Sequence, residues 1–353
     1  MSHNDNTQFS GLSMRVWEFP HLVLAQRMAK ALDEGAARYP VLRQLRFAVR
    51  IELDVLLDAI ALDPAWRAQR LHAECLILDG DGLFVSAYGS RKADYASCAF
   101  YLWAADVERA EAAKERILEK AGSTRITEPM FSIDWHFASG EGMDNALIEE
   151  VADDALRDAA YPEIKGGVRG FIARYLDAPE TVLVLQGPPG TGKTRLIRAI
   201  LGEMSRRKGD QAQALYTGDM KALACDTLFV KFITGTHDAF VVEDADHLLK
   251  PRADGNEHLH RFLAIADGVV RAQGRKIMFS TNLPNVGDLD EALIRPGRCF
   301  ARIHARTLTG AEAQALAQEI AAGDAERLGR ASLALAAGEG RRRSLAEIYR
   351  TLR

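Results

Sequence analysis

Gly187-Pro188-Pro189-Gly190-Thr191-Gly192-Lys193-Thr194 decides how the rest of this chain is read. The stretch fits G-x-x-x-x-G-K-[ST] in full. Phosphate oxygens need backbone N–H donors at close range, and glycine lets the chain approach and turn with no Cβ in the way. Lys193 brings a positive charge to the β- and γ-phosphates, and the Thr194 hydroxyl is placed to ligate Mg²⁺. A helix beginning here aims its positive end at the anion. The flanks agree. The apolar run Thr181–Leu185 comes before, as a central parallel strand should, and an amphipathic run from Arg195 to Met204 follows.

Working outward, Phe240-Val241-Val242-Glu243-Asp244-Ala245-Asp246 is an apolar strand that ends in carboxylates. One carboxylate at such a strand end holds Mg²⁺, and its neighbour orients or deprotonates the attacking water. By position Glu243 takes the metal role and Asp244 the water-activating role. Asp is one methylene shorter than Glu, so the water must sit closer or hydrolysis is slow. Lys276-Ile-Met-Phe-Ser280-Thr281-Asn282 is a second strand with a polar end, which places Asn282 to bond the γ-phosphate or the water. Leu289–Arg298 then puts Arg295 and Arg298 on a sharp corner around Pro296-Gly297. Guanidinium groups suit the spreading charge of a transferred phosphoryl, and an arginine acting on a neighbouring subunit is their natural use.

Further strand-like runs lie at Ala212–Tyr216, Ala239–Val242 and Ala301–Ala305, with helical segments between. These make the fold class α/β: a doubly wound, parallel five-stranded sheet. Taken together, the motifs resemble the AAA family of ATPases, in the family's order, over roughly residues 160–305. Three details are closest to the clade of the mitochondrial Rieske-protein translocase: the Glu243-Asp244 order, the stretch Ala266-Asp267-Gly268-Val269, and the run Ala292–Arg298. The resemblance implies Gly187–Thr194 as Walker A, Glu243 and Asp244 as Walker B, Asn282 as the first sensor, and Arg295 and Arg298 as fingers acting across subunits. It also implies ATP with Mg²⁺, and a homo-oligomeric ring, commonly of six or seven copies. Two departures stand out. That clade's transmembrane anchor is absent. In addition, Thr217-Gly218-Asp219-Met220-Lys221 lacks the aromatic pore residue of threading enzymes.

The sequence divides into a loose tail (1–11), an α+β accessory domain (12–140), a linker helix (141–162), the ATPase core (163–306) and a short helical lid (307–353). The accessory region carries a helical stretch near 21–36 and strand-like runs at 45–51, 73–79 and 83–88. Asp79-Gly80-Asp81-Gly82 is a hairpin signal. A strand from Cys98 to Trp103 leads into a charged helix at 106–121, and Phe131–Phe137 alternates like a half-buried strand. Ser139–Gly142 reads as a linker, followed by an acidic amphipathic helix from about Asp144 to Ala159. Trp17, Trp66, Trp103 and Trp135 are expected in the accessory core. In the lid, Arg341–Arg343 reads as a solvated helix start rather than a second sensor.

Bulk composition sets outer bounds. With 353 residues the chain has room for two domains and a buried core without disulfide or metal. A net charge of −4 argues against general nucleic-acid binding. The four cysteines form no C-x-x-C pair, as expected of reduced thiols. No apolar run approaches the roughly 20 residues that span a bilayer. The expectation is a soluble, cytoplasmic ATPase that remodels a macromolecular partner, most naturally a protein, recruited through the N-terminal domain. The alternatives are an ATP-gated scaffold with slow hydrolysis and, further off, a DNA-associated loader.

Overall fold

The computed structural model describes residues 39–353 apart from 93, 141, 153–155, 210, 252–255, 257, 268–273, 337–339 and 353, together with 22, 26 and 29. The tail, Trp17, most of the helical stretch near 21–36 and part of 266–269 lie outside the described residues. The chain forms two compact units, 1–127 and 128–353.

In the first unit, β1 (Val41–Val49), α1 (Leu53–Ala61), β2 (Arg67–His72), β3 (Cys75–Gly80), β4 (Leu83–Arg91), β5 (Ala96–Ala104) and α2 (Val107–Ala121) follow in order. The sheet order is β1-β5-β4-β3-β2 and every pairing is antiparallel. The β3–β4 turn is the expected hairpin, with Gly80 opposite Leu83 and Gly82 at φ 62°. In α2, Ala110, Ala113, Ile117 and Ala121 are buried three or four apart, the spacing that turns one helical stripe to a core. Asp106 caps its first turn by accepting from Arg109 N at 2.8 Å. One face of the sheet packs on both helices through Phe47, Val85, Phe100 and Leu102. Trp66 joins that core and donates Nε1–H to Ile60 O at 2.9 Å.

The second unit opens with β6 (Met130–Ser139) and β7 (Gly142–Val151), continues through α3 (Val168–Asp177), β8 (Val182–Gln186), α4 (Lys193–Lys208), β9 (Ala212–Thr217), α5 (Met220–Leu223), α6 (Asp226–Thr234) and β10 (Ala239–Val242), and then runs through α7 (Asp246–Leu249), α8 (Leu259–Asp267), β11 (Lys276–Thr281) and β12 (Cys299–His304). It closes with the lid helices α9 (Gly310–Ala321), α10 (Ala325–Ala336) and α11 (Leu345–Thr351). The sheet has seven strands in the order β12-β8-β11-β10-β9-β6-β7. The five expected strands are parallel to one another, and β6 extends them in parallel beside β9. Alternation along β8 sends Leu183 and Leu185 to one core and Val182 and Val184 to the other. Both faces are thus covered, as a parallel sheet requires.

Four expectations fail here. Residues 142–151 are a strand, not the start of a helix, and Ser139–Gly142 closes a hairpin instead of linking domains. Leu147-Ile148-Glu149-Glu150-Val151 suits a helix locally. Pairing along the whole of β6 overrides that preference. The boundary therefore falls at 127/128, not at 140. Trp135 accordingly sits on the ATPase sheet, 42% exposed, rather than in the accessory core.

The hairpin is fastened through Asp134, a carboxylate only 10% exposed. Its Oδ2 lies 2.7 Å from Lys231 Nζ, 3.1 Å from His136 Nε2 and 3.2 Å from His237 Nε2, while Asn145 Nδ2 donates to Oδ1 at 2.7 Å. Burial alone would raise this carboxyl. The hydrogen bonds from His237, Lys231, Asn145 and His136 instead hold it well below the usual carboxylate range.

Candidate nucleotide site

Parallel strands all deliver their C-terminal ends to one edge of the sheet, and ligands bind there. β8 ends in the glycine loop, β10 in Glu243 and Asp244, and β11 in Asn282. The result is a cleft of ≈ 590 Å³ where Lys193, Thr194, Glu243, Asp244, Ser280 and Asn282 meet Leu345, Ala346 and Tyr349 of the lid.

The loop conformation requires its glycines. A Cβ on Gly187, at φ 149°, would lie 1.9 Å from Ala305 O. One on Gly192, at φ 88°, would lie 2.7 Å from Leu345 Cδ1 and 2.8 Å from the Tyr161 hydroxyl. Gly192 caps α4 without a side-chain acceptor, so the first-turn amides point at the cleft as anion donors. Tyr161 donates to Gly192 O at 3.0 Å, and Thr191 Oγ1 to Pro188 O at 2.8 Å, which stiffens the loop. Ala346 N of the lid donates to Gly190 O at 3.1 Å.

Lys193 Nζ donates to Gly187 O (2.6 Å), Pro188 O (3.1 Å) and Asn282 Oδ1 (3.0 Å). Burial lowers its ammonium below the ordinary lysine value, against the pull of Asp244, Asp246 and Glu243. Asn282 turns its Nδ2 to Asp244 Oδ1 at 3.0 Å, so the Lys193 ammonium, the Asn282 amide and the Asp244 carboxylate form one chain. Asp244 has φ 50°, a left-handed conformation uncommon outside glycine. Its backbone is held by bonds from Asp244 N to Ser280 Oγ (3.3 Å) and from Ala245 N to Ser280 O (2.8 Å).

Thr194 Oγ1 donates to Glu243 Oε1, and the Tyr216 hydroxyl donates to Glu243 Oε2 at 2.9 Å. Burial, and then the neighbouring Glu243, push the Tyr216 phenol above its ordinary value, which keeps it a donor. Asp246 Oδ1 accepts from Thr281 Oγ1 (2.6 Å) and from Asn282 N (2.7 Å), fixing the backbone at Asn282.

The structure therefore brings together the glycine loop, Lys193, Thr194, Glu243, Asp244 and Asn282. It leaves Arg295 and Arg298 outside the cleft of their own chain. Arg295 is exposed on the corner after the Ala292 turn, and its carbonyl accepts from Arg298 N and Cys299 N. Arg298 donates from Nη1 to Ala292 O, within the same corner. Arg341, Arg342 and Arg343 bond Glu347, Thr307 O, and the carbonyls of Ala334 and Leu335. None of the three lines the cleft. Tyr216, Asp246, Ser280 and the lid residues escaped the sequence reading. Asp246 and Ser280 stand inside the two strand-end motifs, whereas nothing local marks Tyr216 or the lid residues.

The donors fit a magnesium nucleotide. Thr194 and Glu243 bring hard oxygen atoms into contact, and Mg²⁺ takes one or two protein oxygens beside substrate phosphates.

Strand order, glycine loop and acidic strand end define a P-loop nucleotide-binding domain. Residues 183–307 match the ATPase family associated with various cellular activities (AAA). The chain is 32% identical to the ATP-dependent zinc metalloprotease YME1 homolog of Caenorhabditis elegans, over 47% of this chain and 23% of that protein. It is 30% identical to the ATP-dependent zinc metalloprotease FtsH of Acidimicrobium ferrooxidans, over 40% and 24%. It is 32% identical to an AAA-ATPase of Arabidopsis thaliana, over 42% and 34%. The matches thus span between 23% and 34% of these relatives' own lengths. The chain carries an AAA ATPase domain. Among the described residues, no helix is long and apolar enough to cross a membrane.

Proposed function

We propose that this chain hydrolyses ATP in the cleft of its AAA domain, at sites completed between copies of itself, and uses the turnover to remodel a protein partner held by the first unit. The observation that carries the reading is the meeting of Lys193, Thr194, Glu243, Asp244 and Asn282 in one cleft at the strand ends. The loop amides and Lys193 hold the phosphates. Thr194 and Glu243 would hold Mg²⁺, and the ion would supply charge neutralisation at the phosphates. Asn282 orients the attacking water and Asp244 takes its proton. The water oxygen bonds to the γ-phosphorus as the bond to the β,γ-bridging oxygen breaks, and ADP leaves with that electron pair. Arg295 of an adjacent copy offsets the developing charge, in keeping with its exposed corner.

The relatives named as ATP-dependent proteases support a protein as the object of the work. ATP turnover and assembly size of the wild type, measured beside Lys193→Ala, test the proposal. Mg²⁺-dependent turnover that is lost in the variant is expected, and its absence from the wild type rejects the reading. A second reading, an ATP-gated scaffold with slow hydrolysis, draws on the Asn282–Asp244 bond of 3.0 Å, which ties up the short water-activating carboxylate. Assembly that follows ATP with almost no turnover would favour it.

A further inference from the structure

Glu243 also lines a groove of ≈ 240 Å³ formed by Ile133, Trp135, Ile148, Ile197 and Tyr216, with no lid residue in its lining. Thr194 and Glu243 line both this groove and the nucleotide cleft, so the Glu243 side chain stands in the wall between them. Tyr216 lies on β9 opposite Val241 of β10. Glu243 is two residues beyond Val241, hence on the same face. The ring packs edge-on against Trp135, with centroids 6.2 Å apart. Its hydroxyl then reaches Glu243 Oε2 at 2.9 Å, while Oε1 faces the Thr194 hydroxyl.

The contact answers a difficulty raised by the Glu-Asp order. Glutamate in the metal position has one more rotatable bond than aspartate, so its carboxylate must be held in one rotamer to meet the cation. We propose that Tyr216 is a positioning residue, whose phenol fixes Glu243 Oε2 and thereby presents Oε1 beside Thr194 for Mg²⁺. The strand pairing of β9 with β10 and the Trp135 contact hold the phenol itself in place. The proposal rests on the ATPase reading of the cleft and concerns only how its metal end is built.

The test is the Mg²⁺ dependence of equilibrium binding of a fluorescent ATP analogue, which requires no turnover. Tyr216→Phe deletes the hydroxyl and keeps the ring. It should raise the half-saturating Mg²⁺ concentration about tenfold, the weight of one hydrogen bond to a charged group, and leave metal-free nucleotide affinity within about twofold. Glu243→Gln should raise the Mg²⁺ requirement at least as much. In a Glu243→Asp background, where the shorter carboxylate falls short of the phenol, Tyr216→Phe should add less than about twofold. The proposal is overturned if Tyr216→Phe leaves the Mg²⁺ requirement unchanged while Glu243→Gln raises it, an outcome that spares the ATPase reading. Equal loss of metal-free affinity also overturns it, because that marks general loosening. No change in Glu243→Gln removes the metal role of Glu243 and the proposal with it.

Discussion

Asp244 combines an unusual backbone with a proposed chemical task. A residue with a Cβ at φ 50° costs on the order of 1–2 kcal/mol, least for Asn and Asp. Asp244→Asn should therefore fold and bind ATP, while turnover falls about 10²–10⁴-fold, the range for loss of a general base. Asp244→Val should also lose activity and, in addition, lower the melting temperature, since a β-branched side chain fits this φ poorly. Equal melting temperatures for the two variants would contradict the backbone argument. Lys193 is mostly enclosed, with its ammonium on two loop carbonyls and Asn282. Most of this residue-level picture was legible in the sequence, because the glycine loop with its lysine and the acidic strand end are each an unbroken stretch that answers a local need. Tyr216 was not, since it meets Glu243 only after β9 and β10 pair. Nor was the fixing of Arg298 to its own corner, which depends on where the Ala292 carbonyl turns.

At the scale of elements, the five parallel strands were legible as short apolar runs, and the β6–β7 extension was half hidden. β6 alternates clearly, but β7 carries Asp144, Glu149 and Glu150 at a sheet edge, where one side meets water and a continuous apolar run is not needed. Asp134 pins that hairpin to Lys231 of α6 and to His237. Asp134→Asn removes the partner charge from Lys231, whose side chain is 38% exposed, and should cost about 1–2 kcal/mol in denaturant unfolding of the second unit. A cost near zero would mean that strand pairing alone holds the hairpin. In the lid, Thr309 and Glu312 form a capping box, and Glu312 also pairs with Arg306 at 2.6 Å. The Arg306 hydrogen bond, together with those from Thr309, outweighs burial and holds the Glu312 carboxyl down to about 2. Its folded value lies below the unfolded one. Its stabilisation is therefore full above the ordinary glutamate value and is lost as pH falls from about 5 towards 2. Unfolding followed against pH should show a shallower acid slope for Glu312→Gln than for wild type in that window. Parallel curves would reject the assignment.

At the scale of the whole molecule, the division at 127/128 carries its own consequence. β6 supplies Phe131 to the same core as Leu183, Ile200 and the lid residue Leu345. A fragment of residues 128–353 should fold cooperatively and bind nucleotide. A fragment beginning at 141 loses β6, bares the edge of β9 and breaks the Asp134 cluster, and should aggregate or melt far lower. Comparable melting of the two would show the hairpin to be dispensable.

Mixing two variants shows whether a neighbouring copy completes each site, as proposed. Lys193→Ala cannot use its own cleft but keeps Arg295, and Arg295→Ala has an intact cleft but no arginine to offer. Each variant alone should be nearly inactive, and the 1:1 mixture should regain a substantial share of wild-type ATP turnover as mixed assemblies form. If both variants co-assemble and the mixture stays as inactive as its parts, Arg295 does not act across copies and the account of a shared site is wrong.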